Sequence, residues 1–144
     1  MASKKEVLTA FFLIICIFTS LTIALQVGAD TTTPMSNSEV TVNNSNNDSE
    51  IIVQKNSILI LKLLANPGTG YGWQIIKNDP EQLKPLGDSV LEPLEEQVPG
   101  ANENQVFRFL AQGSGSTMLE LHYLRPWEKN LPPLKTYRLK VQIR

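Results

Sequence analysis

Residues 58–76 read ILILKLLANPGTGYGWQII, and this stretch decides the class of fold. Leu59, Leu61 and Leu63 fall at every second position, the period of a strand with one face buried. Asn66-Pro67-Gly68-Thr69-Gly70 interrupts the run, and Tyr71 and Trp73 resume the alternation towards Ile75 and Ile76. The reading is strand, turn, strand. In the turn, Pro67 pre-sets its own φ and Gly68 admits a positive one, the signature of a type II turn. Trp73, in step with Tyr71, reads as core.

The same pattern extends in both directions. Ile51 to Val53 is a short strand closed by Gln54-Lys55-Asn56. After Trp73 comes a loop rich in Pro80, Pro85, Gly87, Pro93 and Pro99, with one short strand near Val90 and Leu91. Val106 to Ala111 then points Phe107 and Phe109 inward, and Ser116 to Leu124 places Leu119, Leu121 and Tyr123 on one face. Gly113-Ser114-Gly115 reads as the hairpin turn between those two strands. Tyr137, Leu139, Val141 and Ile143 alternate with Arg138, Lys140, Gln142 and Arg144, the clearest two-residue period of all. About seven short strands divided by turn residues predict an all-β, immunoglobulin-like antiparallel β-sandwich over residues 49–144.

Upstream of that domain the composition changes twice. Thirteen of the nineteen residues from Thr31 to Ser49 are Ser, Thr or Asn, too polar to offset the entropy of ordering. Residues 30–48 are therefore expected to be a disordered linker, with Val40 and Val42 the only hint of an edge strand. Asn43-Asn44-Ser45 and Asn47-Asp48-Ser49 fit the N-glycosylation pattern, which Asn/Ser-rich sequence also produces by chance. Residues 1–29 carry Lys4 and Lys5, an uncharged apolar stretch from Val7, and the small-x-small exit Val27-Gly28-Ala29. Those are the parts of a secretory signal. The alternative is a retained anchor, residues 7–29 tethering the domain to a membrane. Either way the domain is expected outside the cytoplasm, secreted or membrane-anchored.

Several functions are excluded at this level. A net charge of −1 and a pI near 5.8 supply no basic field for nucleic acid. The one cysteine, Cys16, lies in the leader, so the exported domain has neither thiol chemistry nor a disulfide. The one histidine, His122, sits mid-strand opposite Leu121 and Tyr123, with no serine elbow and no second ligand at metal spacing. An enzyme is not expected; neither is a cofactor, a metal or a small-molecule substrate.

What remains is binding, and three turns are built for it. Asn66, Pro67, Gly68, Thr69, Gly70 and Tyr71 bare a stretch of main chain that another protein can approach closely. Arg125-Pro126-Trp127, directly after a strand, presents a large ring on a loop. Gly100-Ala101-Asn102 is a flexible polar turn before the strand of Phe107. Each has a plainer reading: a simple hairpin turn, an indole folded over the end of the sandwich, Arg125 paired with Glu128 or Glu120.

Taken together, NPGTGYGW at 66–73 and YLRPWE at 123–128 resemble the chagasin family, inhibitors of papain-like cysteine proteases. That family's pattern is an Asn-Pro-Thr-Thr-Gly-aromatic loop, a Gly-x-Gly-Gly loop and an Arg-Pro-Trp loop. The resemblance covers about Ile51 to Arg144, with two departures. Gly68 stands where the family has a threonine, and Asn102-Glu103 stand where two glycines are usual. It implies a reversible, non-covalent inhibitor, acting as a monomer, that occludes the active-site cleft of such a protease with three loops. The first would enter the groove and the other two would brace it, Trp127 packing on aromatic surface beside the catalytic histidine. The rival class is an exported immunoglobulin-like adhesion or assembly module using the same loops.

Overall fold

The computed structural model describes residues 38–94 and 100–144, and in it the alternation of the sequence becomes two facing sheets. The strands are β1 (Glu39–Asn43), β2 (Ser49–Val53), β3 (Ile58–Ala65), β4 (Gly72–Lys77), β5 (Leu83–Pro85), β6 (Val90–Pro93), β7 (Glu103–Ala111), β8 (Gly115–Leu124) and β9 (Lys135–Ile143). One sheet runs β1-β3-β7-β5, with β6 also on β7; the other runs β2-β9-β8-β4. Leu59, Leu61, Leu63, Phe109, Leu119, Leu121, Leu139 and Val141 close the space between them with no exposed surface. A core of that kind replaces the covalent staple that a cysteine-free domain lacks.

The sandwich is as expected, with more strands and a mixed hand. Nine strands are present among the described residues, and β1 pairs with β3, and β2 with β9, in parallel. The cause is the Ser/Thr/Asn-rich segment, whose second half is not a linker. From Ser38 the chain lays β1 along the edge of one sheet, crosses on a 3₁₀ turn at Asn44–Asn46, and lays β2 along the edge of the other. Neither strand reaches its neighbour through a hairpin, so nothing forces antiparallel pairing. Val42 is buried in the core.

The asparagines that suggested disorder are the fasteners of this crossover. Asn43 Oδ1 accepts from Ser45 N (2.9 Å), Asn44 Oδ1 from Leu64 N (2.9 Å) and Asn47 Oδ1 from Arg138 N (2.9 Å). Asn side chains substitute for a backbone acceptor in this way wherever a strand or turn ends. Residues 38–48 therefore belong to the sandwich and are not linker, while the leader at 1–29 and the linker up to Asn37 lie outside the described residues. Among the described residues no helix is long and apolar enough to cross a membrane.

A second expectation is also revised. Gly113-Ser114-Gly115 is not a hairpin turn, because β7 and β8 belong to different sheets and the segment crosses between them. His122 lies on the outer side of β8, its Nε2 2.8 Å from Glu120 Oε1. That contact, with Arg138 at 3.5 Å behind it, holds the Glu120 carboxyl below the usual range despite some desolvation. Both groups belong to the outer surface of the sheet.

Candidate functional site

One end of the sandwich gathers three connections, and the strand registers dictate which. Ala65 pairs with Glu103, Gly72 with Leu124, and Tyr123 with Lys135. Residues 66–71, 100–102 and 125–134 therefore leave the sheets at one end. The twelve residues singled out in the sequence are all at this end.

The first turn is a 3₁₀ turn over Pro67–Thr69. Thr69 donates twice to Asn66 O, through N at 3.1 Å and Oγ1 at 2.6 Å, and Gly70 N donates to Pro67 O at 2.9 Å. Gly70, not Gly68, carries the positive φ, at +77°. The type II turn is thus corrected: the left-handed residue closes the turn from outside it, as glycine does at a helical C-terminus.

Contacts between the turns tie them into one body. Asn66 Nδ2 donates to Gly100 O at 3.2 Å, joining first to second, and Asn66 N donates to Tyr123 Oη at 2.9 Å. Arg125 Nε donates to Thr69 O at 3.0 Å, joining third to first. Its guanidinium lies 4.4 Å over the ring of Tyr71, which stacks on Tyr123 with centroids 5.4 Å apart. Nη1 of the same arginine meets Glu128 Oε1 at 3.0 Å, so of the two local partners considered it takes Glu128. Arg125 is spent inside the molecule as a clamp.

Trp127 is not. Its side chain is 66% exposed, with its ring edge resting against the place a Cβ would occupy at Gly70. Gly68, Thr69, Gly100, Ala101, Asn102 and Pro126 are exposed beside it, while Asn66, Pro67, Gly70, Tyr71 and Arg125 are half-buried and do the holding. Of the departures from the family pattern, Gly68 and Asn102 are exposed and Glu103 is half-buried at the start of β7, and none of them is a member of the clamp.

Two features escaped the sequence reading. Gln105 ties the sheets together under the turns: its Oε1 accepts from Trp73 N at 2.8 Å, and its Nε2 donates to Trp73 O at 3.0 Å and Ser89 Oγ at 2.9 Å. Its parity with Phe107 and Phe109 was the available signal that it faces inward. Leu131 and Leu134, on the same connection as Trp127, are exposed at 63% and 60%.

An immunoglobulin-like sandwich that presents three cross-linked turns and an uncovered indole at one end is a binding protein of the loop-presenting kind. The comparisons place it within that class. The family model for the Chagasin family peptidase inhibitor I42 matches residues 52–141, and the chain belongs to that family. It is 31% identical over 91 residues to Amoebiasin-2 of Entamoeba histolytica, covering 62% of this chain and 72% of that protein. In fold it is similar to the cysteine protease inhibitor EhICP2 of the same organism, with TM-score 0.63 at 21% identity over 74% of this chain and 96% of that one. It is also similar to the Leishmania mexicana ICP, with TM-score 0.52 at 23% identity over 68% and 90%. The protein is a peptidase inhibitor and not an enzyme.

Proposed function

We propose that this domain inhibits papain-like cysteine proteases reversibly, by seating residues 66–71 in the catalytic groove between the turns at 100–102 and 125–127. The observation that carries the reading is the pair of bonds from Asn66 to Gly100 and from Arg125 to Thr69. They let three turns from separate strands enter a cleft as one body, so little ordering remains to oppose association. Membership of the chagasin peptidase-inhibitor family and likeness to the cysteine protease inhibitor EhICP2 support the choice of target class. Trp127, exposed and held edge-on by Gly70, supplies the apolar anchor at the rim. The reading is non-covalent: no side chain of the turns is an electrophile that a thiolate adds to, and the peptide bonds of the first turn are held in a compact 3₁₀ turn. The basic start and apolar stretch of residues 1–29 support action outside the cytoplasm, after cleavage or on a tether.

Titrating the purified protein into papain and following hydrolysis of a fluorogenic peptide tests the proposal. Rapid, reversible loss of rate with the inhibitor left uncut is the expected result. An unaffected rate at micromolar protein would refute it.

A further inference from the structure

Trp127, Leu131 and Leu134 are the three most exposed large apolar side chains among the described residues, at 66%, 63% and 60%, and all lie in the ten-residue connection 125–134. Single exposed leucines need no explanation, but three large apolar groups on one short connection do. The segment between the leucines is Pro132-Pro133, which fixes two φ angles and removes two N–H donors. Leu134 N donates to Tyr123 O at 2.9 Å, pinning the end of this strut to β8. The leucines are thus held out in water on a stiff support.

Leu134 also borders a groove of about 350 Å³ whose walls include Asn66, Thr69, Tyr71, Asn102 and Arg125, residues of all three turns. Leu134 therefore adjoins the end that carries the three turns, and Leu131 stands on the same strut three residues before it. We propose that Leu131 and Leu134 form a second apolar anchor of the third turn, docking on the body of the target protease beside its cleft. The inference rests on the inhibitory reading above and extends it. Trp127 and the first turn address the catalytic groove; the leucines address the flank, where loop surfaces differ between enzymes. They set which papain-like protease is held most tightly.

The test is the whole protein with Leu131→Ser and Leu134→Ser, singly and together, against papain, cathepsin L and cathepsin B. The double variant should raise the inhibition constant about 10-fold or more for at least one enzyme, unequally across the three, with an unchanged melting temperature. Because single and double variants are read beside their melting curves, a folding defect in one leaves the other informative. Equal inhibition by wild type and double variant for every enzyme overturns the proposal. So does a wild-type dimer in sedimentation that the double variant dissociates, since the leucines would then cover a second copy of the chain. Failure of the wild type itself to inhibit any of the three removes the inhibitory reading, and this inference with it, before any variant is compared.

Discussion

The two tryptophans flank the same turn and have opposite fates. Trp73 is 4% exposed; its indole Nε1 donates to Leu64 O at 3.0 Å, and its ring meets Tyr123 and Tyr137 at 5.1 and 6.4 Å. Trp127 is 66% exposed, and its ring rests against a glycine. Beneath the turn, Trp73, Tyr71 and Tyr123 fill the end of the sandwich, with Arg125 laid over Tyr71. The second indole finds that space taken and stays exposed.

If that division holds, the two tryptophans must fail in different assays. Trp73→Ala removes a buried ring and leaves the Leu64 carbonyl without its donor, so stability should fall by about 3–5 kcal/mol. A lowered melting temperature reads it, and the fraction still folded should inhibit with a nearly normal constant. Trp127→Ala should leave the melting temperature unchanged and raise the inhibition constant about 30-fold or more, equivalent to ~2 kcal/mol. Exchange of these outcomes would mean that the exposed ring is structural and the buried one is not.

Gly70 sharpens the contrast because it serves both sides of it. A Cβ there would stand 2.5 Å from Trp127 Cη2, and φ of +77° disfavours any L side chain. Gly70→Val should cost about 1–2 kcal/mol of stability through the backbone and weaken inhibition about tenfold by displacing the indole. Combined with Trp127→Ala, the loss of inhibition should be less than the product of the two, since there is then no ring to displace. Independent, multiplying effects would show that the turn and the indole act separately.

The sandwich was legible because burial imposes a period of two, which Tyr137 to Ile143 carry without interruption and Leu59, Leu61 and Leu63 carry with Ile60 buried as well. The crossover at 43–48 was not, because its order comes from asparagine acceptors answering the backbone of distant strands, Leu64 and Arg138. Local composition reports the entropy cost of such a segment and is blind to those partners. The site divides in the same way. NPGTGYGW and RPW announced themselves by residue type, whereas the bonds from Asn66 to Gly100 and from Arg125 to Thr69 exist only once β3 has paired with β7 in one sheet and β4 with β8 in the other. Gly68 and Gly70 reverse the expected roles for a related reason. Sequence can say that one of two glycines two positions apart takes a positive φ, but only the turn that forms decides which.

That reversal makes the smallest prediction the most discriminating. Gly68 lies outside the left-handed region, so its backbone admits a side chain. A Cβ there would stand 3.3 Å from Asn66 Oδ1 and 3.9 Å from Gly100 Cα, close enough to nudge the Asn66 amide by a few tenths of an ångström but not to unseat it. Gly68→Thr, which puts a hydroxyl where the family pattern has one, should change stability by no more than about 0.5 kcal/mol. Reduced freedom of the unfolded chain offsets the tightened contact with Asn66. Inhibition should strengthen by less than tenfold, and Gly68→Ala, which adds the Cβ without the hydroxyl, should show none of that gain. If Gly68→Thr instead destabilises as much as Gly70→Val, the turn needs its freedom at both glycines. The first turn would then be a flexible probe and not part of a rigid edge, and a tight inhibition constant would have to come from Trp127 and the leucines alone.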